Sequence, residues 1–355
     1  MYKKKYISIT NHLKYKHLIN IILHKLKTPV TIGIVVFTAM YIVNRINPSQ
    51  IIQVFQTISF EETNTIQGIG FLIVMGFFNI LIESIKWKNI INTIHTITLI
   101  ESLKSVLSGI TIGIITPNRI GELPTRILYI NKSLLSKTLH IILSCSFIQT
   151  LVTVIMGLIA ILSIILWYGI AIIQGYTYII AISLFFFLII FIILVKRSAI
   201  LKKILTFETF PVIRKLMVGF GEIPRRNLVF MFRMGVLRYV LYILQFHILL
   251  QIVGVDISLF QTICGVGIMY LISTIIPSFT FIDELGIRVG TAIGVLAIFT
   301  GDSNAVAIAS IGLWSINIAF PALIGGIFLL QRNKVCSIEN IQKFLLITNS
   351  KKVKK

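Results

Sequence analysis

Apolar residues in this chain come in long runs, separated by shorter stretches where polar and basic residues gather. A helix needs about 20 apolar residues to cross a bilayer. Runs of that kind fall near 29–45, 66–85, 139–166, 177–195, 228–252, 259–277, 286–301 and 304–330. The pattern predicts an all-α fold, a polytopic integral membrane helical bundle of about eight spanning helices plus one or two re-entrant or broken helices. The run at 139–166 is long enough to tilt or to begin inside an adjoining helix, and the run at 286–301 is short.

Three stretches depart from plain spanning. Over 14–27, Tyr15, Leu18, Ile19, Ile22, Leu23 and Leu26 share one arc of a helical wheel, with Lys16, His17, Asn20, His24 and Lys27 opposite. This reads as a basic amphipathic helix on an anionic leaflet, or else as a basic tail. Residues 86–104 are helical in period but mixed in polarity, which predicts a helix along the cytoplasmic interface. Residues 105–117, SVLSGITIGIITP, are too short to cross, rich in glycine and ended by proline, as in a re-entrant or broken helix.

Charge turns this pattern into a topology. The net charge is +21 although only 13% of residues are charged and 56% are hydrophobic, so the basic residues are concentrated between the apolar runs. One block holds Lys3, Lys4, Lys5, Lys14, Lys16, Lys25 and Lys27; another holds Lys196, Arg197, Lys202, Lys203, Arg214, Lys215, Arg225 and Arg226. A third follows the last span, with Arg332, Lys334, Lys343, Lys351, Lys352, Lys354 and Lys355. The remaining connections are short and poor in base, carrying Glu61 and Glu62, Gln174 and Tyr176, Asp256, and Asp302. Eight crossings put every basic block inside, with both termini cytoplasmic and the chain in the inner (plasma) membrane. The expected parts are a basic cytoplasmic tail or interfacial helix over 1–27, a transmembrane domain over 28–331 and a basic cytoplasmic tail over 332–355.

The same distribution excludes a nucleic-acid-binding face, which would scatter Lys and Arg among other polar groups. No cleavable signal peptide is expected, because the basic start is too long for an n-region, and 29–43 reads as an uncleaved signal anchor. Cys145, Cys264 and Cys336 lie far apart and the histidines are dispersed, so no metal site and no cofactor are expected.

Two junctions carry the candidate chemistry. Residues 115–126 read ITPNRIGELPTR and 275–288 read IIPSFTFIDELGIR. In each, an apolar run stops at a proline, Pro117 or Pro277, and an acid is followed four residues later by arginine: Glu122 and Arg126, Glu284 and Arg288. That spacing puts acid and base on one helix face in the favoured order. Thr116 before Pro117 suits an N-cap, and Thr280 suits a cap with Asp283 completing a capping box. Broken helices in both halves of a membrane chain are the usual sequence pointer to a transport site.

The stretch SGITIGIITPNRIGELPTRILYI resembles the hallmark of the lysylphosphatidylglycerol synthase transmembrane-region family: a small-residue run, Thr-Pro, a basic residue, Gly-Glu and an arginine. The run IPSFTFIDELGIRVGTAIGVLA resembles its later element, although Asp283 and Glu284 precede Gly286 here, where the family more often places glycine first. The resemblance covers roughly residues 30 to 330 and implies a flippase-like helical domain. In two-part members such a domain moves an aminoacylated phospholipid, while a separate soluble domain makes it. No room for that soluble domain is found here, so no aminoacyl transfer is expected.

Ionisable groups in spans are costly and need explanation. Arg126, Glu122, Arg288 and Glu284 read either as a headgroup site or as ion pairs that fix broken helices. Arg119 and Arg233 sit where a long side chain snorkels to the interface. Arg238 is deeper and completes the substrate-binding set. Glu83 reads as a structural partner of Lys86 or Arg238, and His247 as a satisfied interior histidine. Gly121 and Gly286 belong to the junction turns, and Gly109 with Gly113, and Gly286 with Gly290, follow the small-xxx-small packing pattern. The expected function is binding or translocation of an anionic lipid, a phospholipid or a polyprenyl-linked headgroup, with membrane lipids and an enzyme supplying the lipid as partners. A non-transporting scaffold in an envelope-lipid pathway and a lipid-dependent membrane transferase are the alternatives.

Overall fold

A computed structural model describes residues 63–127, 129, 135–169, 223–276, 278, 281–296 and 299–331. The expected spans at 29–45 and 177–195, the amphipathic segment 14–27 and the tail 332–355 lie outside these residues. Nine α-helices are described: α1 Thr63–Ile91, α2 Leu99–Ile114, α3 Glu122–Ile127, α4 Leu135–Tyr168, α5 Arg225–Ile252, α6 Leu259–Ile275, α7 Phe281–Leu296, α8 Ser303–Trp314 and α9 Phe320–Gln331. Among the described residues there is no strand. A 3₁₀ turn, Pro117–Arg119, joins α2 to α3, and a π-helical turn, Ser315–Ala319, makes α8 and α9 one continuous rod.

Four helical segments are long and apolar enough to cross a membrane: Thr65–Ile91, Cys145–Tyr168, Arg225–Ile252 and Ser303–Leu330. They coincide with four of the apolar runs. At about 1.5 Å per residue the 29 residues of α1 exceed the roughly 30 Å hydrocarbon thickness. Their outer faces are apolar and bare: Phe71, Ile73 and Phe77 on α1, Leu166 and Trp167 on α4, Leu323 and Leu330 on α9 are exposed. Surface of that kind is stable against lipid tails, not against water.

Several expected boundaries are corrected. Residues 86–104 are not an interfacial helix: they comprise the last turn of α1, a turn closed by the Asn92 side chain accepting from the Ile97 N–H at 3.0 Å, and the start of α2. Their polarity is mixed because Lys86 faces the interior, where it is paired. Residues 105–117 are not a separate element either; α2 begins earlier, at a capping box between Thr98 and Glu101. At 16 residues α2 is still too short to span. The apolar run read as 286–301 is helical from Phe281 to Leu296.

Helix α2 lies inside the bundle, packed on α9, α3 and α1. Its serines are its attachment points: Ser102 donates to the Ser84 carbonyl at 2.6 Å and Ser105 to the Arg126 carbonyl at 3.0 Å. Thr111 donates to the Ala322 carbonyl of α9 at 2.7 Å. Helix α6 starts at a second capping box, Ser258 with Gln261, and runs along α4. One apolar cluster, around Ile90, Val106, Ile127 and Ile318, fills the α1–α3 side. Another, around Phe246, Leu250, Ile293 and Val306, fills the α5–α8 side. The polar interior lies where these two halves meet.

Candidate functional site

The two motif junctions, 160 residues apart in sequence, touch. The Asn118 N–H donates to the Ser278 carbonyl at 2.7 Å, and the Ser278 N–H donates back to the Asn118 side-chain oxygen at 2.8 Å. Asn118 and Arg119 both hold positive φ, 46° and 55°, a conformation that turns the chain sharply after Pro117. Thr116 stands before the 3₁₀ turn but makes no cap bond there; its hydroxyl donates back to the Ile112 carbonyl and accepts from the Gly121 N–H at 2.9 Å. This is a correction to its expected role, and it follows from the tightness of the turn. A Cβ on Gly121 would lie 2.7 Å from Thr116 Oγ1, so only glycine fits. Gly109 serves the same end one layer up, where a Cβ would meet Arg126 Cγ at 3.0 Å and the Glu122 carbonyl at 3.1 Å. Pro277 and Thr280 lie outside the described residues.

The close approach of α3 to α2 puts the first acid–base pair into the interior. Glu122 binds Arg126 on one carboxylate oxygen and Arg119, at 3.1 Å, on the other. Arg126 continues to Glu83 of α1 at 2.7 Å. Glu83 also takes Lys86 at 2.6 Å and Arg238 of α5. In the second junction Arg288 pairs with Glu284 at 3.0 Å. Arg119 reaches across to the same Glu284 oxygen at 3.6 Å, so one chain of ion pairs runs through both junctions and the spanning helices α1 and α5. Each carboxylate faces at least two cations, which is what lets charges remain in a low-dielectric interior.

Aromatic rings and amides complete the wall. Arg126 lies over Trp87, Arg238 over Tyr242 and Arg288 over Tyr270, each guanidinium 5.7–5.9 Å from a ring centroid. Arg238 donates to Asn79 at 2.6 Å, and Asn79 donates to Asn317 at 2.7 Å. Asn317 sits in the π-helical turn and donates to Gln245 at 3.0 Å. The turn's extra residue aims this amide inward, a frequent use of π-bulges. Sequence reading missed Gln245, Asn317 and the two tyrosines, because nothing local marks a polar residue on an apolar helix as inward-facing.

These residues line a cavity of about 540 Å³, bounded by α1 to α7 and the π-helical turn. A second, of about 420 Å³, lies beside it at the junction tips, and Asn118, Arg119, Thr274 and Arg288 line both. Across the two, Lys86, Arg119, Arg126, Arg238 and Arg288 oppose Glu83, Glu122 and Glu284. Positive charge is in excess by two. Apolar side chains such as Ile110, Ile120 and Leu123 share the wall with the charges.

Of the residues singled out from sequence, Glu122, Arg126, Arg119, Glu284, Arg288 and Arg238 all come together here. Glu83 pairs with both partners proposed for it and with Arg126 besides. Arg233 is exposed on α5. His247 is held by Thr262 at 2.9 Å and Gln251 at 3.3 Å, away from the cavity. Cys145 and Cys264 are free, and among the described residues no cluster suited to a metal ion occurs.

Fold and site together define a polytopic helical membrane protein with a charged internal cavity between two broken-helix junctions. The lysylphosphatidylglycerol synthase transmembrane-region family model matches residues 27–326, and the chain belongs to that family, whose name connects it with membrane lipid metabolism. Comparison with curated proteins finds no match, and comparison with solved structures finds none.

Proposed function

We propose that this chain is a flippase-like protein that binds an anionic lipid headgroup in the junction cavity and moves it across the bilayer. The observation that carries the reading is the excess of positive charge in a cavity walled partly by apolar side chains. An excess of guanidinium favours phosphate, because its planar fork matches phosphate oxygens. Apolar wall beside it suits the first carbons of acyl or prenyl chains.

In this reading the two junctions are the moving parts. The junctions that meet at Asn118 and Ser278 are held to each other by one backbone–backbone hydrogen bond, one bond from the Ser278 N–H to the Asn118 side chain and one long ion pair, so their separation breaks few polar contacts. The proposal assigns no catalytic step to the chain, places both termini on the cytoplasmic side by the charge pattern, and expects a partner enzyme to supply the lipid. Mass spectrometry of lipids that co-purify in mild detergent tests it, with Arg119→Ala beside the wild type. One anionic class is expected to be enriched over the membrane extract and to be lost in the variant. A profile equal to the bulk membrane in both would overturn the proposal and favour a scaffold role.

A further inference from the structure

The arginines of the site are not equally available. Arg126 has carboxylates on both terminal nitrogens and a side chain only 10% exposed. Arg238 spends its three nitrogens on Glu83, Asn79 and Tyr242. These two, with Glu83, form a closed set whose removal would strand buried charge. Arg288 and Arg119 differ. Their side chains are 25% and 24% exposed, and both line both cavities. Among the described residues Arg288 has a single carboxylate partner, Glu284.

Glu284 Oε1 is the meeting point of the two junctions, with Arg288 Nη2 at 3.0 Å and Arg119 Nη1 at 3.6 Å. Two guanidiniums converging on one oxygen is how arginines hold a phosphate. The longer contact exceeds hydrogen-bond length, so Arg119 is held there by charge and not by a formed bond. Glu284 lines the smaller cavity only, whereas both arginines also face the larger one. An anion arriving through the larger cavity therefore meets the same two guanidiniums that Glu284 holds from the smaller one.

Resting on the headgroup reading above, we infer that Glu284 is a built-in competitor for the ligand: it occupies the phosphate position between Arg288 and Arg119 when the site is empty and is displaced when a lipid phosphodiester binds. Arg288 and Arg119 are the headgroup contacts, and Arg126 is a positioning residue. Because one carboxylate ties the junctions together and the ligand replaces it, binding and release of the tie are a single event. The ligand is a lipid headgroup and not free phosphate, since inorganic phosphate would leave the apolar wall of the larger cavity unfilled.

The test measures binding of short-chain phosphatidylglycerol, phosphatidylcholine of the same chain length, and inorganic phosphate to the purified full chain in detergent. Wild type, Glu284→Gln, Arg288→Ala and Arg288→Lys are compared, with thermal unfolding of each. Glu284→Gln is expected to bind phosphatidylglycerol at least about fivefold tighter than wild type, the low end of ordinary coupling between competing events. Arg288→Ala is expected to lose about tenfold or more, and Arg288→Lys less, since it keeps the charge without the fork. Phosphatidylcholine and inorganic phosphate are expected to bind more weakly throughout.

Unchanged or weaker binding by folded Glu284→Gln overturns the competitor role while leaving the proposed function standing. Wild-type affinity in folded Arg288→Ala overturns the assignment of the contact. Inorganic phosphate binding as tightly as the lipid overturns the lipid source. Failure of the wild type to bind any of the three overturns this inference and the proposed function together. Should Arg288→Ala fail to fold, Arg288→Lys and Glu284→Gln decide.

Discussion

Glu83 faces three cations from inside a spanning helix: Lys86 one turn along, Arg126 from α3 and Arg238 from α5. A carboxylate so placed costs desolvation that its partners offset, and removing it leaves three buried positive charges with too little counter-charge. Glu83→Gln is therefore expected to destabilise the protein by about 3–5 kcal/mol, read as a fall in the thermal unfolding midpoint in detergent. A variant as stable as wild type would show that water or other groups satisfy the cations. The pair with Lys86 was legible in the sequence, because residues three apart share a helix face. The pair with Arg126 was not, since a separation of 43 positions fixes no distance. The same holds for Arg119 and Glu284, each read within its own junction, although they meet across the two.

At the scale of elements, short local signals decided where helices begin. Thr98 accepts from the Glu101 N–H at 3.2 Å, and the Glu101 carboxylate accepts from the Thr98 N–H at 2.8 Å. That box starts α2 six residues before the apolar run marked from the sequence, since Glu101 and Lys104 interrupt the apolar pattern of its first turns. Thr98→Ala is expected to cost about 1 kcal/mol, seen as faster amide exchange in the first turns of α2. The backbone N–H and hydroxyl of Thr98 hold the Glu101 carboxyl below the usual carboxylate range. A lowered folded-state value means the contribution is complete above the unfolded-state pKa and is lost as pH falls through the folded one. Protection of the first amides of α2, corrected for the intrinsic pH dependence of exchange, is thus expected to fall in acid in the wild type, and Thr98→Ala to weaken that dependence in part, since the hydroxyl is lost and the backbone N–H remains. The π-helical turn had no comparable sign: Ser315–Ala319 holds neither proline nor glycine, and its inward amide is fixed by the partners of Asn317 on α1 and α5.

For the molecule as a whole, charge asymmetry makes a prediction that packing does not. Arg225, Arg226 and Arg233 are exposed at the start of α5, whereas Asp256 and Asp302 stand at the connections that follow α5 and α7. With native cysteines replaced, single cysteines at Asp256 and Asp302 are expected to react with an impermeant maleimide on intact cells, and one at Arg226 only after permeabilisation. The reverse pattern would invert the topology. The sequence by itself determined the membrane class, the four long spans among the described residues and the two acid–base junctions. Hydrocarbon thickness, helical period and proline geometry act over one element, and each leaves its mark in consecutive residues. Only the tertiary structure decided that the junctions meet, that Glu83 pairs with Arg126 and Glu284 with Arg119, and that Arg288 is more open to the cavity than Arg126. Those outcomes depend on which helices pack together and how closely, a property of the assembled bundle that no single stretch of sequence encodes.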